Sequence, residues 1–72
     1  MTELDARGLD CPLPLLRAKQ ALNRLESGQQ LRVLATDPGS QRDFRAFAEL
    51  SGHRLLSCDT QGGEFIYILQ KR

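Results

Sequence analysis

The chain has 72 residues, 40% of them hydrophobic, and its ten Lys and Arg stand against nine Asp and Glu for a net charge of +1. A chain this short buries only about 60% of its unfolded surface, which leaves room for one core and a single domain spanning residues 1–72, and no apolar run approaches the roughly 20 residues of a membrane-spanning helix. Interspersed charges without a basic stripe argue against a dedicated nucleic-acid binder.

Thr2 to Ala6 alternates, with Leu4 and Ala6 set against Glu3 and Asp5, and reads as a half-buried first strand ended by Gly8. From Pro12 to about Ser27 good helix formers dominate, and Leu15, Ala18, Leu22 and Leu25 recur at helical spacing. Pro12 suits the first helical position, where a missing N–H is tolerated, so Cys11 falls at or next to the N-cap; Gly28 suits the left-handed position after the helix. Leu31 to Thr36 carries apolar residues on both faces and predicts a more central strand. Asp37-Pro38-Gly39 is a turn signal, after which Ser40 and Asp43 resemble a weak capping box for a second helix with Phe44, Phe47, Ala48 and Ser51 on its inner face. His53 to Thr60 and Glu64 to Lys71 read as a hairpin joined at Gln61-Gly62-Gly63. Phe65, Tyr67 and Leu69 share one face of its last strand, and Ile66 and Ile68 the other. The order β-α-β-α-β-β predicts a two-layer α/β (α+β) sandwich in which two helices cover one face of a four-stranded mixed sheet. Right-handed crossovers make its first two strands parallel. The other sheet face is left partly open to water or a partner.

The start Met1-Thr2-Glu3-Leu4-Asp5 has neither the basic stretch nor the apolar run of a secretory signal, so a cytoplasmic protein is expected. In a reducing compartment both cysteines are free thiols. Cys11 draws attention because unpaired N–H groups and the positive dipole end at a helix start stabilise a thiolate, the nucleophilic form. Two features limit the effect: Pro14 removes a donor, leaving mainly Leu13, and the neighbouring Asp10 opposes ionisation. A modest lowering of the Cys11 pKa is expected. Pro12 and Pro14 stiffen the backbone around Leu13 and present the sulfur on a rigid support. A thioredoxin-like disulfide enzyme needs a second cysteine where Pro14 stands. His53 is distant from Cys11 in sequence and marks no obvious base.

Leu4-Asp5-Ala6-x-Gly8-Leu9-x-Cys11-Pro12-x-Pro14 resembles the signature of the TusA-like (SirA-like) sulfur carrier family, and the resemblance extends along the whole chain through Asp37-Pro38-Gly39-Ser40, Gly52-His53 and the strand from Gly63 to Leu69. It implies a persulfide carried on Cys11. The sulfur would come from a cysteine desulfurase or rhodanese-like donor and pass to a downstream relay protein, for tRNA 2-thiouridine synthesis or another sulfur pathway. It also implies a partner-dependent sulfurtransferase that does not turn over alone and needs no metal or organic cofactor. Leu13 stands where tRNA-thiolating members often have an acidic residue, and Phe47-Ala48 where some members have a second cysteine, so the branch is left open.

Plainer roles stand beside these. Cys58, mid-strand, reads as packing. Arg7, Asp10, Arg17 and Lys19 are docking candidates, although charges on short helices are more often a solvated face. Asp37 and Ser40 read as turn and cap. The competing function is a non-catalytic module that binds RNA or a regulatory protein on the open sheet face; RNA would call for exposed aromatic rings there. A monomer without membrane or direct nucleic-acid contacts is expected.

Overall fold

The computed structural model describes all 72 residues, Met1–Arg72. Its elements are β1 (Thr2–Ala6), α1 (Leu13–Asn23), β2 (Gln30–Ala35), α2 (Ser40–Ser51), β3 (Arg54–Gln61) and β4 (Glu64–Gln70). The strands form one sheet in the order β1-β2-β4-β3. β1 and β2 are parallel, as expected for strands joined through a helix, and the other two pairings are antiparallel. Each parallel strand feeds a helix, so α1 and α2 both begin at the sheet edge where β1 and β2 end. No helix is long and apolar enough to cross a membrane.

The helix-facing side of the sheet holds the core. Ala6, Leu31, Val33, Ala35, Tyr67 and Leu69 from the strands meet Ala18 and Leu22 of α1 and Phe44 of α2, all completely buried. Phe44 stacks on Tyr67 with ring centroids 4.5 Å apart, a geometry that adds to the area both rings bury. Leu34, Ile66 and Ile68 alternate onto the opposite side and are only half-buried, and an ion pair between Arg32 and Glu3 at 3.1 Å crosses that open face.

The two-residue loop Gly62-Gly63 has φ of 55° and 81°, values that a side chain rarely adopts and that a tight hairpin needs. β3, an edge strand, is bulged at Leu56: Leu55 faces Leu69, whereas Ser57 faces Ile68. Such a bulge twists an edge and disrupts its pairing with another strand.

Two details depart from the sequence reading. α1 ends at Asn23 instead of reaching Ser27. The Arg24 and Leu25 N–H groups close the last turn onto the Ala21 and Leu22 carbonyls at 3.1 and 3.0 Å, and Lys71 Nζ donates to the Leu22 carbonyl at 2.9 Å, so a cation from the far end of the chain satisfies a helix C-terminus. Gly28 is left-handed as expected, with φ of 89°, but its N–H donates to the Lys71 carbonyl at 2.9 Å and joins the α1–β2 loop to the end of β4.

The second departure concerns Ser40, which does not cap α2. It is buried inside the first turn, and its hydroxyl donates to the Asp37 carbonyl at 2.7 Å and lies 2.6 Å from the Tyr67 hydroxyl. With its single proton spent on Asp37, Ser40 accepts from Tyr67. Burial is the main cause that pushes the Tyr67 phenol above its ordinary pKa. Tyr67→Phe removes one hydrogen bond and leaves Ser40 its carbonyl partner, so a loss of about 1 kcal/mol is expected, read as a melting point lower by about 4–8 °C.

Candidate active site

The segment before α1 is shaped by two successive turns. Gly8, with φ of 80°, closes the first, in which the Leu9 N–H donates to the Ala6 carbonyl at 3.3 Å; that φ at the third turn position calls for glycine. The Gly8 N–H donates to Thr36 Oγ1 at 2.9 Å and ties this loop to the end of β2. In the second turn the Leu13 N–H donates to the Asp10 carbonyl at 2.8 Å. Cys11 stands within it, exposed, and the Cys11–Pro12 peptide is cis.

This geometry corrects the expected chemistry of the helix start. Pro12 is the N-cap residue, with non-helical φ and ψ of −98° and 17°, and the helix begins at Leu13. The Leu13 N–H, the donor expected to reach the sulfur, is taken by Asp10, and Pro14 has none to offer. No side chain caps α1. The sulfur turns instead to the other helix: Cys11 Sγ donates to Asp43 Oδ2 at 2.6 Å. The thiol pKa is raised, not lowered. The hydrogen bond to Asp43 is the largest cause, followed by partial desolvation and the negative charges of Asp43 and Asp37, with Arg42 opposing. A carboxylate in contact with a thiol favours the neutral form.

Asp43 was legible only as half of a capping box. That box does not form, because Ser40 is occupied with Asp37 and Tyr67 and the Asp43 carboxylate accepts a hydrogen bond from the cysteine thiol. Its place in the first turn of α2 suits a negative charge at the positive dipole end. The signal that pairs it with Cys11 is topological: parallel β1 and β2 bring both helix starts to one edge of the sheet.

The other candidates are scattered around this edge. Arg7 lies in the turn after β1, not on a helix, and its guanidinium is engaged by Asp5 at 2.8 Å and Glu64 at 3.4 Å. Its bonds hold the Asp5 carboxyl down to about 2. Asp10 is exposed, Arg17 and Lys19 project from α1, and Lys19 Nζ sits 5.6 Å from the centre of the Phe47 ring. A groove of about 370 Å³ runs between the helices, lined by Leu15, Lys19, Asp43, Ala46, Phe47, Leu50 and Ser51. Leu13 and Leu16 on α1 and Leu50 on α2 are 41%, 47% and 89% exposed, so both helices present apolar side chains to solvent.

His53 follows α2, at its opposite end from Asp43 and about 15 Å away at 1.5 Å per residue, so it is no base for Cys11. It packs against Phe47 at 5.5 Å, and its Nδ1 accepts from the Arg72 N–H at 2.9 Å. Desolvation, then the charges of Lys71 and Arg72, lower its pKa. Cys58 is half-buried on the helix-facing side, opposite Tyr67 in register, with Gln41 Nε2 3.9 Å from its sulfur. No three His, Cys, Asp or Glu side chains gather to hold a metal ion.

Comparison with known proteins bears on the family and the fold. The model of a family described as sulfurtransferase TusA matches residues 2–71. A sulfur carrier protein TusA of Allochromatium vinosum is 55% identical over 69 residues, covering 96% of this chain and 91% of its own. A putative sulfur carrier protein of Neisseria meningitidis is 49% identical over 69 residues, covering 96% and 93%. The crystal structure of a SirA-like protein from Desulfitobacterium hafniense superposes with a TM-score of 0.85 at 31% identity and covers 97% of this chain and 96% of that one.

Proposed function

The chain belongs to the TusA family of sulfur carriers, and on that footing we propose that it holds its sulfur as a persulfide on Cys11 and hands it on by thiol exchange. The observation that supports this is the exposure of the Cys11 sulfur at a rim where a rigid Pro12-Leu13-Pro14 segment and the starts of two helices meet, while Cys58 is packed against the core. The donor is a cysteine desulfurase or a rhodanese-like protein, and the acceptor is a relay protein in tRNA 2-thiouridine synthesis or another sulfur pathway. The carrier works in the cytoplasm as a single-domain monomer and depends on its partners for turnover. Arg7 is already engaged by two carboxylates, so of the three basic docking candidates Arg17 and Lys19, which enter no ion pair, are the ones free to meet an acidic partner, and Leu13 and Leu16 offer it apolar contact. Asp10, the exposed residue before Cys11, is available to orient the approach.

Incubation with a cysteine desulfurase and cysteine is expected to add about 32 Da, one sulfur atom, that reductant removes. Peptide mapping is expected to find it on the peptide holding Cys11. Label found only on the Cys58 peptide would sink the assignment.

The binding-module reading has less support. Phe44 and Phe47 belong to α2, and Phe65 and Tyr67 lie stacked on the helix-facing side at 6.4 Å. The open face therefore presents no ring on which a base would stack.

A further inference from the structure

We propose that Asp43 is a catalytic residue, in direct contact with the reacting atom, that keeps the unloaded Cys11 sulfur protonated and turned against α2, and releases it when a sulfane sulfur is transferred. This rests on the persulfide reading above and adds a control to the same atom. The carboxylate is no incidental neighbour. The residues are 32 apart in sequence, and Asp43 is held in the first turn of a helix whose next residue, Phe44, is completely buried. The charged groups acting on the sulfur are Asp37 on the β2–α2 loop, and Arg42 and Asp43 on α2, while Asp10 adjoins Cys11 in the chain. Acidic groups outnumber the single cation, and only Asp43 touches the sulfur.

An empty carrier built this way is slow to react with oxidants and alkylating agents, because the thiolate is the reactive species. In transfer, Sγ attacks the outer sulfur of the donor's persulfide and its proton passes to Asp43 Oδ2. The Sγ–S bond forms as the donor's S–S bond breaks, and the electron pair leaves on the donor's inner sulfur, which takes the proton back from Asp43. Cys11 is oxidised from thiol to persulfide and the donor reduced from persulfide to thiol, so no outside oxidant is required. Once loaded, Sγ is bonded to Cβ and to sulfur and has no proton to donate. The contact with Asp43 becomes one between electron pairs, which turns the side chain and its cargo away from α2. Asp43 thereby distinguishes an empty sulfur from a loaded one.

The test is the pH dependence of iodoacetamide alkylation of Cys11, measured on the full chain carrying Cys58→Ser, with Asp43 intact or as Asp43→Asn and Asp43→Glu. With Asp43 intact the midpoint is expected above the ordinary thiol value of about 8.5. Asp43→Asn, which removes the charge and offers an N–H to the thiolate, should lower the midpoint by about one pH unit and raise the rate at pH 7 about tenfold. Asp43→Glu should hold the midpoint near that of the intact protein. A control, Asp10→Asn, removes a nearby charge that does not touch the sulfur and should shift the midpoint far less than Asp43→Asn. A midpoint unmoved by Asp43→Asn would overturn the proposal, as would an Asp43→Glu profile that follows Asp43→Asn. Alkylation needs no sulfur donor, so this failure is separate from failure of the persulfide reading, which would appear as absence of the added sulfur in the intact protein.

Discussion

Cys11→Ser is expected to abolish sulfur loading completely while leaving the fold intact. A hydroxyl cannot form the sulfur–sulfur bond by which transfer proceeds, and Cys58 is half-buried against the core, so nothing replaces the lost sulfur. Stability should hardly change. Cys11 is exposed and makes no cap for α1, and a serine hydroxyl can donate to Asp43 in place of the thiol; exposed substitutions of this kind lie within about 0.5 kcal/mol. Intact-mass analysis after exposure to a desulfurase and cysteine, alongside a thermal melt, reads both halves. Residual loading would move the carrier site elsewhere, and a loss above about 1 kcal/mol would make Cys11 a structural residue.

Phe44→Ala is expected to do the reverse and damage the scaffold. The ring is completely buried and stacked on Tyr67, and truncation of a core phenylalanine costs about 3–5 kcal/mol. At roughly 0.05–0.15 kcal/mol per residue a chain of this length holds only about 4–11 kcal/mol in all. The variant should therefore melt far below the parent or fail to fold at ordinary temperature, as followed by circular dichroism. Asp43 is the residue before this ring, so loosening α2 also loosens the sulfur's contact. A loss below about 1 kcal/mol would show that α2 is not anchored by Phe44.

The architecture was largely legible because the alternation of β1, the helical spacing of Leu15, Ala18 and Leu22, and the paired glycines at 62 and 63 each report on local backbone geometry. Helix α1 was read too long at its C-terminus, since the lysine that closes it comes from residue 71, a contact no local pattern contains. The exposed position of Cys11 at the start of α1 was legible from the proline-flanked motif, but its electrostatics were not. Local reasoning assigned the sulfur to the helix that follows it in the chain, whereas a turn consumes the Leu13 N–H and the group that sets its protonation lies on the other helix. Ser40 and Asp43 illustrate the same limit: their spacing matches a cap, yet a buried tyrosine and a cysteine from elsewhere in the chain claim both side chains.

The shared starting edge of α1 and α2 also governs traffic. On the proposed persulfide reading, a carrier whose one reactive atom stands on one rim has a single doorway, so the protein that fills it and the protein that empties it would take turns. Adding an excess of empty receiver should then slow filling by simple occupancy, because donor and receiver would compete for the same rim.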